Sequence, residues 1–354
     1  MRWNPYFRSI GDAECSSIWQ ELSTEPSVLV LGGGFDPRVT RSLRLFTQVA
    51  ERPVDAVRIG LGSGGAVPDL QELAEAQGEI VHRLVSEAGG SVVDHPYPDV
   101  RARRSAGVTI SRAFHEAGYL DRYRQIFVDI SGLPRSVYFP LVRGLLQASD
   151  GEWKGDVHVV ACESIDVDRA LVEEGAEEAG PLGGFAGPVD EAGWAATVWV
   201  PVLGEGMVEQ LSSLLDAIAP DEVVPVLPFP SADPRRGDDL VLEHEDLLRE
   251  RMSVEPRNYL FAAEDNPFDL YRAVSELYGR YQASLRPLGA ARFVLSTHSS
   301  KVLSIGVLLA AYELGLQVMH VSPSRYGMRA GADWHELAGS GYLTDLWIAG
   351  EPYK

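Results

Sequence analysis

The chain has 354 residues, 45% hydrophobic and 23% charged, and its 51 acidic residues outnumber 31 basic ones for a formal net charge of −20. That length accommodates two domains with a substantial core, while no apolar run is long enough to cross a bilayer, so no membrane association is expected. The acidic balance argues against broad binding to a nucleic-acid backbone, which needs a basic surface. Cys15 and Cys162, far apart, exclude a disulfide framework and a Cys-ligated zinc site.

In chain order, the opening "MRWNPYFRSIGDAEC" lacks the apolar core of a signal peptide, which points to the cytoplasm. Strands are predicted at Val28–Leu31, Ala56–Leu61, Ser91–Asp94, Gln125–Ile130 and Val157–Cys162. Their nearly continuous Val/Ile/Leu character suits parallel strands buried on both faces. A helix is predicted over Leu70–Ala88, ended by Gly89-Gly90. Alternating strands and helices predict a doubly wound, mainly parallel α/β sheet.

Two glycine-rich turns follow the first two strands, "VLGGGFDPR" and "GLGSGGAVPD". In the first, Gly33 and Gly34 allow a phosphate to approach the backbone, with Asp36 and Arg38 beside them. The run resembles the GGxFDP opening of nucleotidylyltransferases, but Val39 and Ser42 stand where that family's catalytic histidines belong, which excludes the enzyme. A basic island follows: Arg101 to Arg143 holds eight arginines against Glu116, Asp121 and Asp129, and marks either an anion site, conceivably nucleic acid, or a solvated helix face.

The second half repeats the first. "QIFVDISGLPR" at Gln125 matches "ARFVLSTHSSK" at Ala291, so that Arg135 corresponds to Lys301 at an offset of 166, and "DAVRIGL" at Asp55 matches "DEVVPVL" at Asp221 at the same offset. "SVLVLGGGFD" with "TVWVPVLGEG", "YPDVRA" with "PFDLYRA" and "DVHVVACES" with "LQVMHVSPS" keep the same order. The predicted fold is therefore two tandem Rossmann-like repeats related by internal duplication. Their expected bounds are 1–165 and 197–354, the latter including a last strand at Leu343–Ile348. An acidic, Gly-rich linker with one short helix is expected over 166–196.

Ligands of open parallel sheets sit beyond the carboxyl ends of the strands, where helix N-termini favour anions. Ser131, Gly132 and Arg135 in one repeat, and Ser296, Thr297, His298, Ser299, Ser300 and Lys301 in the other, supply helix caps, hydroxyls and positive charge at such places. His298 and Asp129 are the candidates for proton transfer. No HExxH, GxSxG or Cys-x-x-Cys occurs, and no metal or cofactor is expected.

A strand, a Ser/Thr/Gly loop, a Lys or Arg and then an apolar helix resembles the ligand-binding segment of CARF domains. Those are Rossmann-like sensors of cyclic oligonucleotides in bacterial antiviral signalling, and two fused copies are similar to the SAVED arrangement. The resemblance implies that Ser131, Gly132, Arg135, Thr297, His298, Ser299 and Lys301 line a pocket between the copies. It also implies that a partner protein acts on the signal, because the repeats take up nearly the whole chain. The expectation is a sensor of a phosphorylated, nucleotide-like small molecule. An enzyme acting on a nucleotide or sugar phosphate and a non-catalytic subunit of a larger complex are the alternatives.

Overall fold

The computed structural model describes residues 1–60, 68–96, 103–175, 177–189, 193–285, 287–323, 325–329 and 331–353. The first part of the chain supplies strands β1 (Phe7–Ile10), β2 (Ser27–Gly32), β3 (Asp55–Ile59), β4 (Val92–His95), β5 (Gln125–Asp129), β6 (Asp156–Glu163) and β7 (Leu171–Glu174). Between them run α1 (Asp12–Leu22), α2 (Val39–Val49), α3 (Pro68–Glu87), α4 (Arg103–Glu116), α5 (Tyr119–Arg122), α6 (Arg135–Asp150) and α7 (Ile165–Ala170). Strands β8 (Gly180–Pro181), β9 (Ala196–Val202), β10 (Glu222–Val223), β11 (Val226–Pro228), β12 (Leu260–Ala262), β13 (Ala291–Thr297) and β14 (Gln317–His320) follow. They alternate with α8 (Val208–Ile218), α9 (Arg236–Glu243), α10 (Pro267–Leu285) and α11 (Lys301–Leu314). The C-terminal stretch adds β15 (Arg325–Met328), α12 (Trp334–Leu337) and β16 (Tyr342–Ala349).

The chain divides into two compact units, Trp3–Gly175 with Pro323–Lys354, and Ala176–Ser322 with Met1–Arg2. The first unit holds a sheet of order β1-β16-β6-β5-β2-β3-β4. Strands β6 to β4 are parallel, while β16 runs antiparallel to both β6 and β1. The main path of the second sheet is β12-β11-β9-β13-β14-β8, with β10 also on β9. In sequence rank, the five parallel strands of each unit therefore lie in the order 3-2-1-4-5, the Rossmann order.

Register reinforces the likeness. Leu29 faces Ala56 and Phe127 across its two neighbours, and Val198 faces Glu222 and Phe293 across its own. The outer partners, Ala56 with Glu222 and Phe127 with Phe293, keep the 166-residue offset, while Leu29 and Val198 on the central strands are 169 apart.

Burial explains the elements. All six residues of "SVLVLG" in β2 and all five of "QIFVD" in β5 are buried, as strands covered by helices on both faces require. Helix α11 is buried from Val302 through Ala311, almost all round, so it is an interior helix of its unit. In α2 the buried Val39, Leu43 and Phe46 form a helical stripe. Phe46 packs tilted against Phe127 with ring centres 4.6 Å apart, and Trp19 meets it edge-on at 5.3 Å.

The expected bounds of 1–165, 166–196 and 197–354 need correcting. Strand β16 was expected to end the second repeat, yet it pairs along its length with β6 of the first unit, Leu343 opposite Cys162 and Leu346 opposite Val159. Its residues Leu343, Leu346, Ile348 and Ala349 are at most 1% exposed there. The expected linker is not a free connector either. Its start forms α7 and β7, the latter pairing with β15, and β8 joins the second sheet through Pro181 opposite Met319. Phe185 is buried, with its carbonyl accepting from Val318 N at 3.0 Å.

Candidate functional site

In each unit the strand order reverses beside the first parallel strand, between β2 and β5 in one and between β9 and β13 in the other. Loops leaving the carboxyl ends of such neighbours diverge to opposite faces and leave a crevice between them.

In the first unit the chain's own groups occupy this place. A Cβ on Gly32 would stand 2.7 Å from the Gly132 carbonyl oxygen, and one on Gly132 would collide with Val39, so the two loops meet backbone to backbone. Arg38 is 4% exposed; its Nε and Nη2 donate to Asp36 at 3.0 and 2.8 Å, and its Nη1 to Asp168 of α7 at 2.7 Å. Burial works against this charge, but Asp36 and then Asp168 outweigh it and hold the guanidinium above its usual range. Asp129, at the end of β5, accepts from the Ser42 hydroxyl and from Ser131 N at 2.7 Å. The Ser131 hydroxyl accepts from Cys162 N at 2.7 Å. The Cys162 thiol is pushed up to about 12, first by burial and then by Asp129. Gly33 N donates to Ile59 O at 2.7 Å, Gly34 is buried, and Phe35 packs on Trp334 of α12 with ring centres 6.0 Å apart. Arg135 opens α6 and is partly exposed.

The second unit keeps the geometry but not the carboxylate of Asp129 or the Asp36–Arg38 pair. Leu295 stands where Asp129 does, and no aspartate–arginine pair follows β9, whose loop reads Leu203-Gly204-Glu205-Gly206-Met207. A Cβ on Gly204 would collide with the His298 carbonyl, so these loops also meet backbone to backbone. Thr297 closes β13, and its hydroxyl lies 3.4 Å from that of Ser299. Ser300 caps α11 by accepting from Leu303 N at 3.2 Å, and Lys301 is the first residue of the helix. His298 is 8% exposed and its N donates to Val202 O at 3.0 Å. Ser296 turns inward, accepting from Trp199 Nε1 at 3.0 Å.

Around this core, His244 is 1% exposed and lies 2.9 Å through Nε2 from Gly204 O, a pairing in which the ring nitrogen donates. Gly206 N donates to Glu243 at 2.5 Å. Arg236 pairs with Glu264 at 2.9 Å and reaches Glu205 at 3.9 Å.

The structure thus places Thr297, His298, Ser299, Ser300 and Lys301 in the turn between β13 and α11. It turns Ser131 and Ser296 into backbone and core bonding, and commits Asp36, Arg38 and Asp129 to partners of their own unit. Asp129 and His298 stand at the carboxyl ends of different sheets, so the expected pair of proton-transfer groups is not assembled within either unit. The turn at 61–67 and the "YPDVRA" segment fall outside the described residues, as do Arg101 and the side chains of Arg103 and Arg104 in the basic island. Sequence reasoning gave no role to Asp168, Ser42 or His244, each of which acquires its place only through contacts made across elements. Among the described residues, no group of three or more His, Cys, Asp or Glu side chains is placed to hold a metal.

No protein-family model matches the sequence, and no curated protein does. A putative universal stress protein from Pseudomonas aeruginosa UCBPP-PA14 is 12% identical, with a TM-score of 0.24 over 86% of this chain and 95% of that one. The cytoplasmic domain of a prokaryotic cation chloride cotransporter is 10% identical, with a TM-score of 0.26 over 85% of this chain and 96% of that one. A functionally unknown protein from Pseudomonas aeruginosa PAO1 is 11% identical, with a TM-score of 0.24 over 86% and 95%. Likenesses at these scores carry no argument about this chain. No described helix is long and apolar enough to cross a membrane.

Proposed function

We propose that the chain is a sensor that binds a phosphorylated, nucleotide-like small molecule at the carboxyl edge of its second unit and passes the signal to a partner protein. The observation that carries this reading is the contrast between the two crevices. Both have a helix N-terminus headed by a basic residue. The first pairs Arg38 with Asp36 and Asp168 and ends its strand in Asp129, whereas the second has Leu295 in the position of Asp129, ahead of Thr297, His298, Ser299 and Lys301. A helix N-terminus with a lysine and without a strand-end carboxylate favours an anion. Cyclic oligonucleotides are the ligands, and cytoplasmic antiviral signalling the setting, that the likeness to CARF and SAVED sensors adds to this reading.

The test is thermal shift of the full chain against mononucleotides, dinucleotides and cyclic oligonucleotides. A ligand at about 100 times its Kd adds roughly 2.7 kcal/mol of stability. We expect a shift with at least one nucleotide that Lys301→Ala loses and Arg135→Ala keeps. A folded sample that shifts with no member contradicts the sensor reading. A shift lost in Arg135→Ala instead moves the site to the first unit.

A further inference from the structure

The two large sheets end in four edge strands, β1 and β4 in the first unit and β12 and β8 in the second. An open edge presents unpaired N–H and C=O groups to other chains, and proteins commonly blunt it. Three of these edges are blunted. Phe7 of β1 gives its N–H to the Tyr353 hydroxyl at 3.2 Å and packs against the Trp347 and Tyr353 rings. Strand β4 carries the charged Asp94, which accepts from Arg58 at 2.5 Å and lies 3.0 Å from His82. Strand β8 is Gly180–Pro181, and its proline has no N–H to offer.

The edge at β12, Leu260-Phe261-Ala262, has none of these devices. Leu260 N donates to Pro225 O at 2.9 Å, and the Ala262 carbonyl accepts from Phe229 N at 2.7 Å. Alternate residues of a parallel strand bond the same neighbour, so the N–H and C=O of Phe261, between these two, point to the open edge. Its side chain is 53% exposed, and Phe229, 60% exposed, meets it edge-on with ring centres 6.2 Å apart. Phe261 lies opposite Leu227, which belongs to the same core cluster as Leu240 of α9. Opposed residues share a face, so Phe261 stands on the α9 face at the margin of the sheet.

We propose that β12 is the docking edge for an extended, basic segment of a partner protein, which adds a strand beside Phe261 and lays an apolar side chain against Phe229 and Phe261. Main-chain pairing supplies affinity in this mode and the side-chain contacts supply specificity. Charge selects the occupant. Residues 229–265 hold ten Asp and Glu against five Arg, so the complementary segment is basic. A second copy fits poorly, because it brings the same acidic edge and a net charge of −20. A strand of three residues with two half-exposed rings also falls well short of the roughly 800 Å² per partner that a stable dimer buries. The surface is argued from the edge alone and stands whether or not the crevice binds a nucleotide.

The experiment titrates the full chain with three synthetic octapeptides in which valine alternates with lysine, serine or glutamate, and with the lysine peptide interrupted by a central proline. Binding is read by calorimetry and by hydrogen–deuterium exchange of residues 260–262, and sedimentation gives the oligomeric state. We expect the lysine peptide to bind at least ~10-fold more tightly than the glutamate one, as several surface ion pairs together supply, and to slow exchange at 260–262. The proline peptide should lose binding. Phe261→Ser and Phe229→Ser, both at exposed side chains, should each weaken the lysine peptide with the Tm unchanged. Absence of binding by all four peptides, equal binding of the lysine and glutamate peptides, or binding indifferent to both substitutions overturns the proposal. A dimer that Phe261→Ser dissociates also overturns it, since the edge would then belong to a second copy.

Discussion

Arg38 shows how a single residue can be mistaken for a ligand contact. Behind a glycine-rich turn, an arginine looks poised for phosphate, and its sequence neighbours give no hint of Asp168, 130 positions away. In the fold it is 4% exposed and shared between Asp36 and Asp168. Arg38→Met should cost about 3–5 kcal/mol by leaving buried Asp36 uncompensated. Asp168→Asn, at a side chain 57% exposed, should cost no more than about 1 kcal/mol; denaturant unfolding measures both, and equal costs would contradict the assignment.

Titration also belongs to this scale. Burial lowers the His95 ring, and Asp94 offsets part of that. For Asp94 burial acts upward, but Arg58 and His82 outweigh it and lower the carboxyl. The folded unit therefore holds His95 neutral, a contribution complete above the unfolded histidine value of about 6.5 and lost as pH falls below it. The Asp94 contribution is present above about 4 and is lost on further acidification. Tm measured from pH 7.5 to 3.5 should fall in two stages, and His95→Gln should remove the upper one. A flat Tm between pH 7.5 and 5.5 would contradict the His95 environment.

At the scale of the element, the strands and the α11 loop were legible because their signals are local. Continuous apolar runs gave β2, β5 and β6 to within two residues, and Ser300 is the helix cap its position predicts. Ser300→Ala should cost about 1 kcal/mol. What the sequence hides is which way a side chain turns. Ser296 and Thr297 are adjacent buried hydroxyls, yet one bonds the Trp199 indole and the other lies 3.4 Å from the Ser299 hydroxyl. Gly204 belongs to the same class of hidden feature, since its need for glycine comes from a carbonyl nearly a hundred residues on. Gly204→Ala should destabilise the second unit by about 1–3 kcal/mol through overpacking and shift the loop that borders the proposed site. An unchanged Tm together with unchanged nucleotide binding would show that the loops do not meet as described.

For the whole molecule, the duplication was readable from constant spacing, but the last strand was not assignable. The run Leu343–Ile348 reads as a strand in either repeat; only the hydrogen-bonding edge of β6, together with Trp19 donating to Asp345 at 2.5 Å and His158 lying 3.0 Å from the same carboxylate, decides its place. Leu346→Ala should therefore destabilise the first unit by about 2–5 kcal/mol without weakening nucleotide binding by the second. Loss of binding in a folded Leu346→Ala protein would contradict the division into units. The central claim, that a ligand occupies the second crevice and not the first, is tested most directly by hydrogen–deuterium exchange of the full chain with and without the nucleotide giving the largest thermal shift. The account predicts slower exchange in residues 203–210 and 297–304, with 33–38 and 130–135 unchanged; slowing confined to the first-unit loops, or to neither set, would contradict it.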